Sequence, residues 1–253
     1  MKRIVAGILS FLMLFLFVGC AKGVSQAEYD ALKSELDHLK ENSSEISSAD
    51  ISAPDANIST PEPEKKPTPA GKFDEETVLS KLEVTKYSYS TKYWHYAFLV
   101  IKNNSEFDLR ISAEMKFYND GNLVGASSVS QEAVEAGTET ILCTMPDEAF
   151  TDIEYTLEAQ EESIYECVIS DLSYETTSAK KKEIVSVTSN GTEAAEFVEG
   201  YVLFFEGDTL VDSDDAYFTD DDSEIKPGKT ITKELECSKN YDSIKIYFTG
   251  RRY

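Results

Sequence analysis

Positive charge and histidine are scarce in this chain, which has 24 Lys and Arg against 47 Asp and Glu, and only two His in 253 residues. The formal net charge is therefore −23 at pH 7. A surface this acidic repels phosphate backbones and anionic lipid headgroups, so binding to nucleic acid or directly to such headgroups is excluded. The acidity fits a solvated protein outside the cytoplasm, and the two alternatives are that it serves solubility only or that it favours a cationic partner.

Sequence motifs for catalysis are absent. The chain contains no HExxH, GxSxG, P-loop or GxGxxG pattern. His95 follows Trp94 and precedes Tyr96 at the start of an apolar run, and no nearby nucleophile marks a catalytic dyad. We therefore predict no catalytic residue, although so many carboxylates prevent the sequence alone from identifying a catalytic pair of acids.

Long apolar runs are also absent, except at the N-terminus. Lys2 and Arg3 precede an uncharged, mostly apolar run over residues 4–18, which is shorter than the ~20 residues that a membrane-spanning helix needs. Phe17-Val18-Gly19-Cys20 then resembles the lipobox of bacterial lipoproteins of the Gram-positive type, with Phe where Leu is more usual. This resemblance implies a cleaved signal over residues 1–19 and a diacylglyceryl thioether with palmitate-type chains on Cys20. The alternative is an ordinary signal peptide with an incidental Cys.

Two segments without core-forming patterns separate Cys20 from the rest of the chain. Within residues 20–42, apolar residues spaced by three and four predict an amphipathic stalk helix over 25–42, with weak coiled-coil self-association. Residues 43–72 are rich in Ser, Pro and acidic residues, which predicts a disordered linker. We expect the globular part to begin at residue 73.

Cysteine is rare after Cys20, where only Cys143, Cys167 and Cys237 occur. An extracytoplasmic location permits disulfides, but the number is odd and no CxxC occurs. A Cys167–Cys237 bridge and buried free thiols are the two alternatives that remain open.

From residue 73 onwards, short runs rich in Val, Ile, Tyr, Phe and Thr recur between turn signals. This pattern predicts an all-β fold of two tandem immunoglobulin-like sandwiches. Strands are expected at residues 96–101, 111–118, 138–143, 153–157, 167–174, 184–188, 198–205, 230–235 and 244–248. A tight hairpin turn is expected at Asp120-Gly121, and another turn at Pro227-Gly228.

An internal repeat supports two domains. Residues 117–124 align with 204–211 at an offset of 87, and residues 98–104 align with 184–190 at 86. Two later matches, at residues 134–137 and 150–153, share an offset of 91. Because the matches occur in order, we predict one sandwich over residues 73–160 and a second over 161–253, each able to fold alone.

Each repeat resembles the FxLYD-type immunoglobulin-like domains of bacterial surface lipoproteins. The core string of that family falls on residues 115–119 and 202–206, where the apolar-aromatic pattern is kept and the Asp is replaced by Asn119 and Glu206. The resemblance implies a surface-exposed module without known catalytic residues.

Two groups of residues are candidate sites. Aspartates gather between residues 212 and 224, and clustered carboxylates can bind calcium, although the EF-hand spacing is absent and a solvated acidic loop is the alternative. They are Asp212, Asp214, Asp215, Asp220, Asp221 and Asp222. Aromatic residues gather near the first strand and could bind a sugar or a protein partner if exposed, or else pack in the core. They are Trp94, Tyr93 and Tyr96, together with Tyr87 and Tyr89.

The expected function is presentation. A lipid anchor, a stalk, a linker and two sandwiches suit a protein that displays binding or structural modules to a cell-wall, protein or carbohydrate partner at the extracytoplasmic face of the cell membrane. The alternative is a cell-wall or carbohydrate-acting hydrolase with a carboxylate site between the two domains. The sequence identifies no cofactor other than the calcium considered above.

Overall fold

A computed structural model describes residues 71–253 of the chain. The predicted signal over residues 1–19, the lipidated Cys20, the stalk helix over 25–42 and all but the last two residues of the linker over 43–72 lie outside the described residues. In the part that is described, none of the helices has the length and apolar character needed to cross a membrane.

The described residues form strands almost throughout, which confirms the all-β prediction. One short helix, α1 (Glu75–Leu79), begins at Asp74, whose side chain accepts a hydrogen bond from the backbone N–H of Thr77. The strands are β1 (Leu82–Ser90), β2 (His95–Asn103), β3 (Leu109–Asn119), β4 (Asn122–Val134), β5 (Glu139–Thr144), β6 (Asp152–Glu161), β7 (Glu166–Cys167), β8 (Leu172–Ala179), β9 (Lys182–Ser189), β10 (Ala195–Glu206), β11 (Thr209–Tyr217), β12 (Glu224–Ile225), β13 (Thr230–Glu236) and β14 (Ser243–Arg252), with a 3₁₀ turn at Ile169–Asp171.

These strands form four antiparallel sheets. Sheet A has the order β1-β2-β5 and sheet B the order β4-β3-β6. Sheet C has the order β11-β10-β14-β7, with β12 also paired to β10, and sheet D has the order β13-β9-β8. One hydrophobic core is formed by residues of sheets A and B, including Leu99 and Met115, and a second by residues of sheets C and D, including Val187 and Phe204.

The strand order of the first half recurs in the second half. Strands β1, β2 and β5 of sheet A correspond to β8, β9 and β13 of sheet D, and strands β4, β3 and β6 of sheet B correspond to β11, β10 and β14 of sheet C. The ends of β3 and β10 are 87 residues apart, and the starts of β6 and β14 are 91 apart, the offsets found in the sequence. All described residues fall in one compact unit, so separate folding of the two halves stays a prediction.

A third core joins the two halves, where the outer face of sheet A packs on the outer face of sheet C. Its buried members are Phe98, Val100 and Ile141 from the first half and Leu203, Phe205, Leu210 and Tyr247 from the second. We call this contact the junction core. The two halves are therefore packed against each other over a closed apolar surface.

The two repeats differ at the positions that form the junction core. On the outer face of sheet C, Leu203 and Phe205 occupy the places that Lys116 and Tyr118 hold on sheet B. Sheet A likewise has Val100 where sheet D has the polar Ser186. The faces at the two ends of the stack are thus polar, and only the inner pair is apolar, which favours stacking of the two halves in this order.

The predicted turns are present. Asp120 and Gly121 both have positive φ, at 48° and 78°, so they form the two-residue turn between β3 and β4 that the Asp-Gly pair favours. Gly228 has a φ of 70° in the turn before β13. Both positions need a left-handed backbone that few residues adopt at low cost.

Two features of the second half differ from the sequence prediction. The expected strand over residues 167–174 is divided by the 3₁₀ turn at Ile169–Asp171, because Glu166–Cys167 pairs with the end of β14 whereas Leu172–Ala179 pairs with β9. The expected acidic loop from residue 212 is also wrong in its first part, which is strand β11. That strand pairs along its length with β10, and Leu210 and Val211 anchor it in the cores.

Candidate functional site

The aromatic residues near the first strand divide into a packed group and an exposed group. Tyr87, Tyr89 and Tyr96 are half-buried against the junction core. The rings of Tyr89 and Tyr96 stack with centroids 4.6 Å apart, and the hydroxyl of Tyr89 lies 3.0 Å from that of Ser213 on β11. Burial raises the pKa of Tyr89 above its usual range. These rings pack between the two halves. For Tyr96, the structure therefore favours packing in the core over binding of a sugar or protein partner.

The exposed group lies at the turn between β1 and β2. Tyr93 and Trp94 have 72% and 59% of their surface exposed. Thr91 fixes the turn, because its hydroxyl accepts hydrogen bonds from the N–H of Trp94 at 2.9 Å and of Tyr93 at 3.3 Å. The Lys92 ammonium lies 5.0 Å from the centroid of the Tyr93 ring. We call residues 91–94 the aromatic tip.

His95, at the base of the aromatic tip, has a structural contact. Its Nδ1 atom lies 2.8 Å from the hydroxyl of Ser90, the residue directly opposite on β1. The two side chains bridge the strands at the end of the β1–β2 hairpin.

A second candidate is a cleft at the polar edge of the junction core, which we call the junction cleft. It has a volume of 210 Å³. Its lining residues come from β4 in the first half and from β10, β11 and β14 in the second, and they are Gln131, Phe197, Glu199, Tyr217, Thr249, Gly250 and Arg251. The pairing of β10 with β14 is irregular between Glu196 and Glu199, and Phe197 there has a φ of 51°.

Glu199 is the carboxylate of this cleft. Glu199 and Tyr201 are two residues apart on β10, so they lie on the same face of the strand. Across the sheet, Glu199 pairs with Tyr217 on β11. Burial raises its pKa, and the negative charge of Asp215 acts in the same direction, while hydrogen bonds from Tyr201 and Tyr217 act against them. The net effect is a raised pKa, so this carboxyl gives up its proton less readily than an exposed glutamate.

Arg251 also lines this cleft and belongs to a network of ion pairs between the two halves. Its guanidinium pairs with Glu132 on β4, and Arg110 lies 3.2 Å from the same carboxylate. The guanidinium also lies over the rings of Tyr165 and Phe197, at 4.3 and 5.1 Å from their centroids. The charge of Arg251 is thus already balanced by its contact with the first half.

The connection between the halves is fixed by two acidic residues. Burial alone would raise the pKa of Glu162, but N–H donors of Ile164, Ala133 and Tyr165 and the nearby Arg110 outweigh it, so the pKa is lowered. Glu135 is 4% exposed and accepts hydrogen bonds from the N–H and hydroxyl of Ser170, at 2.9 and 2.7 Å. These contacts hold the first half to the segment that leads into the second.

The six aspartates proposed for calcium do not form one site. Asp212 accepts hydrogen bonds from the N–H and hydroxyl of Ser238, and Asp214 accepts one from the N–H of Glu236, so both tie β11 to the neighbouring β13 segment. Asp215 also lies on β11, whereas Asp220, Asp221 and Asp222 lie in the turn after it.

A lysine already neutralises much of that turn. The ammonium of Lys226 lies 3.9 Å from Asp220, 3.3 Å from Asp222 and 3.2 Å from Glu224. Within residues 71–253, no three His, Cys, Asp or Glu side chains are grouped so that they could hold a metal ion. Calcium binding therefore stays a prediction that this geometry does not favour.

The proposed bridge between Cys167 and Cys237 is not formed. Cys167 pairs with Arg251 at the end of β14, whereas the N–H of Cys237 donates to the carbonyl of Lys181, at the opposite end of the sandwich. The length of β9 separates these ends, because Lys182 pairs with Ala179 at one end and Ser189 pairs with Leu172 at the other. These ends are seven residues apart along the strand, which is about 23 Å, and a disulfide needs Cα atoms within about 7 Å. Burial instead raises the pKa of the Cys143 thiol to about 12 and raises that of Cys237.

Comparisons with known proteins give no family. No family profile matches the chain, and no curated protein is similar to it. Among solved structures, the transglutaminase of red sea bream is similar over 67% of this chain, with 10% identity and a TM-score of 0.25. The match spans 29% of that enzyme. A likeness this low carries no argument about fold or activity.

Proposed function

We propose that this protein is a lipid-anchored, extracytoplasmic binding protein without catalytic activity, in which the double sandwich presents the aromatic tip to a partner on the cell surface. The anchor rests on the apolar run and Gly19-Cys20 in the sequence. The observation that carries the binding role is the exposure of Tyr93 and Trp94 side by side on a turn fixed by Thr91. A cell-wall component, a protein and a carbohydrate are the candidate partners.

Exposed aromatics at a fixed turn favour binding for an energetic reason. A tyrosine or tryptophan side chain can bury a large apolar area and still place a polar atom at the edge of the contact. Thr91 holds the backbone of the turn, so little conformational entropy is lost when a partner covers the rings. Such residues contribute most of the affinity in many protein interfaces.

The hydrolase alternative finds less support. Retaining and inverting glycosidases use two carboxyl groups facing each other across the scissile bond. Glu199 is the only acidic residue among the seven that line the junction cleft. A binding role requires no second acid, and we therefore prefer it.

We expect the Cys20→Ala variant to carry no lipid. The change removes the thiol that would form the thioether, so the protein would be released or would be held only by an uncleaved signal. Metabolic labelling with a fatty-acid analogue, followed by membrane fractionation, measures this. Absence of label on the wild-type protein would contradict the lipid anchor.

We expect the double variant Tyr93→Ser/Trp94→Ser to lose capture of its surface partner by at least tenfold while keeping the stability of the wild type. The reason is that both rings are mostly in solvent, so their loss removes a contact surface and little core. The measurement is a quantitative pull-down from the surface of the producing cells with the mature chain lacking residues 1–20. Trp94 is the only tryptophan of the chain, so its fluorescence reports directly on each captured ligand.

Leu123→Ser is the matched control for the aromatic tip. Leu123 is 58% exposed and follows a different hairpin turn, between β3 and β4. Its replacement removes a similar exposed apolar side chain and should leave capture unchanged. Equal capture by the wild type and the double variant would contradict the assignment of the aromatic tip as the binding surface.

A further inference from the structure

The junction cleft contains a carboxylate that lacks a cation. Glu199 receives hydrogen bonds from the neutral hydroxyls of Tyr201 and Tyr217. In residues 71–253, no lysine or arginine forms an ion pair with it. Arg251 lines the same cleft, but its guanidinium pairs with Glu132. The nearby charge of Asp215 is negative, so the cleft leaves the charge of Glu199 uncompensated.

Aromatic rings border this carboxylate. Phe197 is 44% exposed and Tyr217 is 53% exposed, although both line the cleft. The Arg251 guanidinium already lies over the Phe197 ring, so Phe197 forms an apolar wall and the ring of Tyr217 is the one that can meet a further cation. A carboxylate beside exposed ring faces is an arrangement that binds ammonium groups, because the ion pair and the cation–π contact act on the same charge.

The size of the cleft suits a small cationic group. A volume of 210 Å³ corresponds to about seven water molecules at ~30 Å³ each. This accommodates an ammonium group with a short alkyl chain, and because the cleft is open to solvent the rest of a ligand can extend out of it. The hydroxyl of Thr249 and the amide of Gln131 line the same space and can accept the remaining ammonium hydrogens.

We infer that the junction cleft binds a primary ammonium group on an unbranched alkyl chain, such as a lysine side chain or an alkylamine, with Glu199 as its counter-ion and Phe197 and Tyr217 as its walls. The site is separate from the aromatic tip, so either assignment can fail without the other. The strongly acidic chain around the cleft attracts such a cation at long range.

The test uses two probes of nearly equal shape. Nα-acetyl-lysinamide carries the ammonium group, and Nα-acetyl-6-hydroxynorleucinamide has a neutral hydroxyl in its place on a side chain of the same length. Calorimetric titration of the mature chain lacking residues 1–20 should show binding of the first probe and none of the second. Glu199→Gln, which keeps the shape of the side chain, should weaken binding of the first probe at least tenfold.

Glu175→Gln is the matched control, since it removes the same charge from an exposed position on β8 in sheet D. It should bind the ammonium probe within twofold of the wild type. Tyr217→Ala, which removes an exposed ring, should also weaken binding and provides an independent readout if Glu199→Gln disturbs folding. Unfolding curves of all variants monitor that folding.

Three results would overturn the inference. They are no heat of binding for the ammonium probe at millimolar concentration, equal affinity for the two probes, and an equal loss of affinity in Glu175→Gln and Glu199→Gln. The last result would mean that the ammonium probe responds only to the overall negative charge.

Discussion

Leu203→Asp is expected to lower the free energy of unfolding at pH 7 by about 3–5 kcal/mol, the usual cost of an uncompensated buried charge. Leu203 is fully buried in the junction core, among Phe98, Ile141 and Tyr247. Lys245 lies opposite Leu203 on β14, but it is exposed, and its ammonium is already held at the edge of that core by the hydroxyl of Tyr87 and over the ring of Phe205. We expect the wild type to unfold in one transition, because the junction core couples the halves, and the variant to unfold in two.

Urea unfolding followed by circular dichroism measures the total stability in this test. Hydrogen exchange of peptides from β3 and from β9 reports on each half separately, since these strands belong to different cores. Leu123→Asp is the control, because it places the same charge on an exposed turn and should change stability by less than about 0.5 kcal/mol. If Leu203→Asp unfolds as the wild type does, the junction core does not couple the halves.

The same core alters the expectation for isolated halves. The sequence predicts that residues 73–160 and 161–253 each fold alone, and each half does contain its own core. Separated halves would nevertheless expose the apolar residues of the junction core to water, including Phe98 on one side and Phe205 on the other. Exposed patches of this kind promote association, so weak solubility of either fragment would not argue against its fold.

Gly200→Ala is expected to destabilise the protein by about 1–3 kcal/mol through overpacking. Gly200 lies on β10 with its Cα facing the second core, and an added Cβ would lie 2.7 Å from ring atoms of both Phe218 and Phe248. Phe218 is fully buried and Phe248 nearly so, so the rings have little room to move. The gain of about 0.4–1 kcal/mol from a stiffer unfolded chain does not offset this clash.

Two other positions provide controls for Gly200→Ala. Ala113 is the residue of the first half that corresponds to Gly200, and it fits there with 1% exposure. Gly125→Ala places its Cβ 3.7 Å from the Phe117 ring, an ordinary contact, so it should be nearly neutral. Thermal unfolding of the variants distinguishes a clash from a general effect of alanine. Equal melting temperatures for Gly200→Ala and Gly125→Ala would contradict the overpacking argument.

Local patterns in the sequence predict much of the fold. Alternating apolar residues place eight of the nine expected strands on observed strands, and the Asp120-Gly121 pair gives its turn, because these signals depend on near neighbours. The sequence patterns do not predict strands β1, β4 and β11 directly, or only imply them as the second strand of a hairpin. The serines and acidic residues on them weaken the apolar alternation, and pairing with β2, β3 and β10 stabilises them instead.

The candidate sites are harder to predict because exposure depends on how the halves pack. The sequence places Tyr96 and Trp94 in one aromatic group, but only the structure separates the packed Tyr96 from the exposed Trp94. Glu199 has no sequence signal at all. It lies among other acidic residues, and its cleft is formed by strands from both halves.

The sequence by itself determined the all-β class, the order of strands within each repeat and the offsets between the repeats, because hydrogen-bonded strands and tight turns follow from residue types close together in the chain. The uninterrupted apolar run of β2, with buried residues from Ala97 to Ile101, also contained a sign that both faces of sheet A are covered. Only the tertiary structure decided that the outer face of sheet A packs on the outer face of sheet C. That choice depends on the burial of apolar surface between residues about 100 positions apart, such as Phe98 and Leu203, and no local pattern specifies such a pairing.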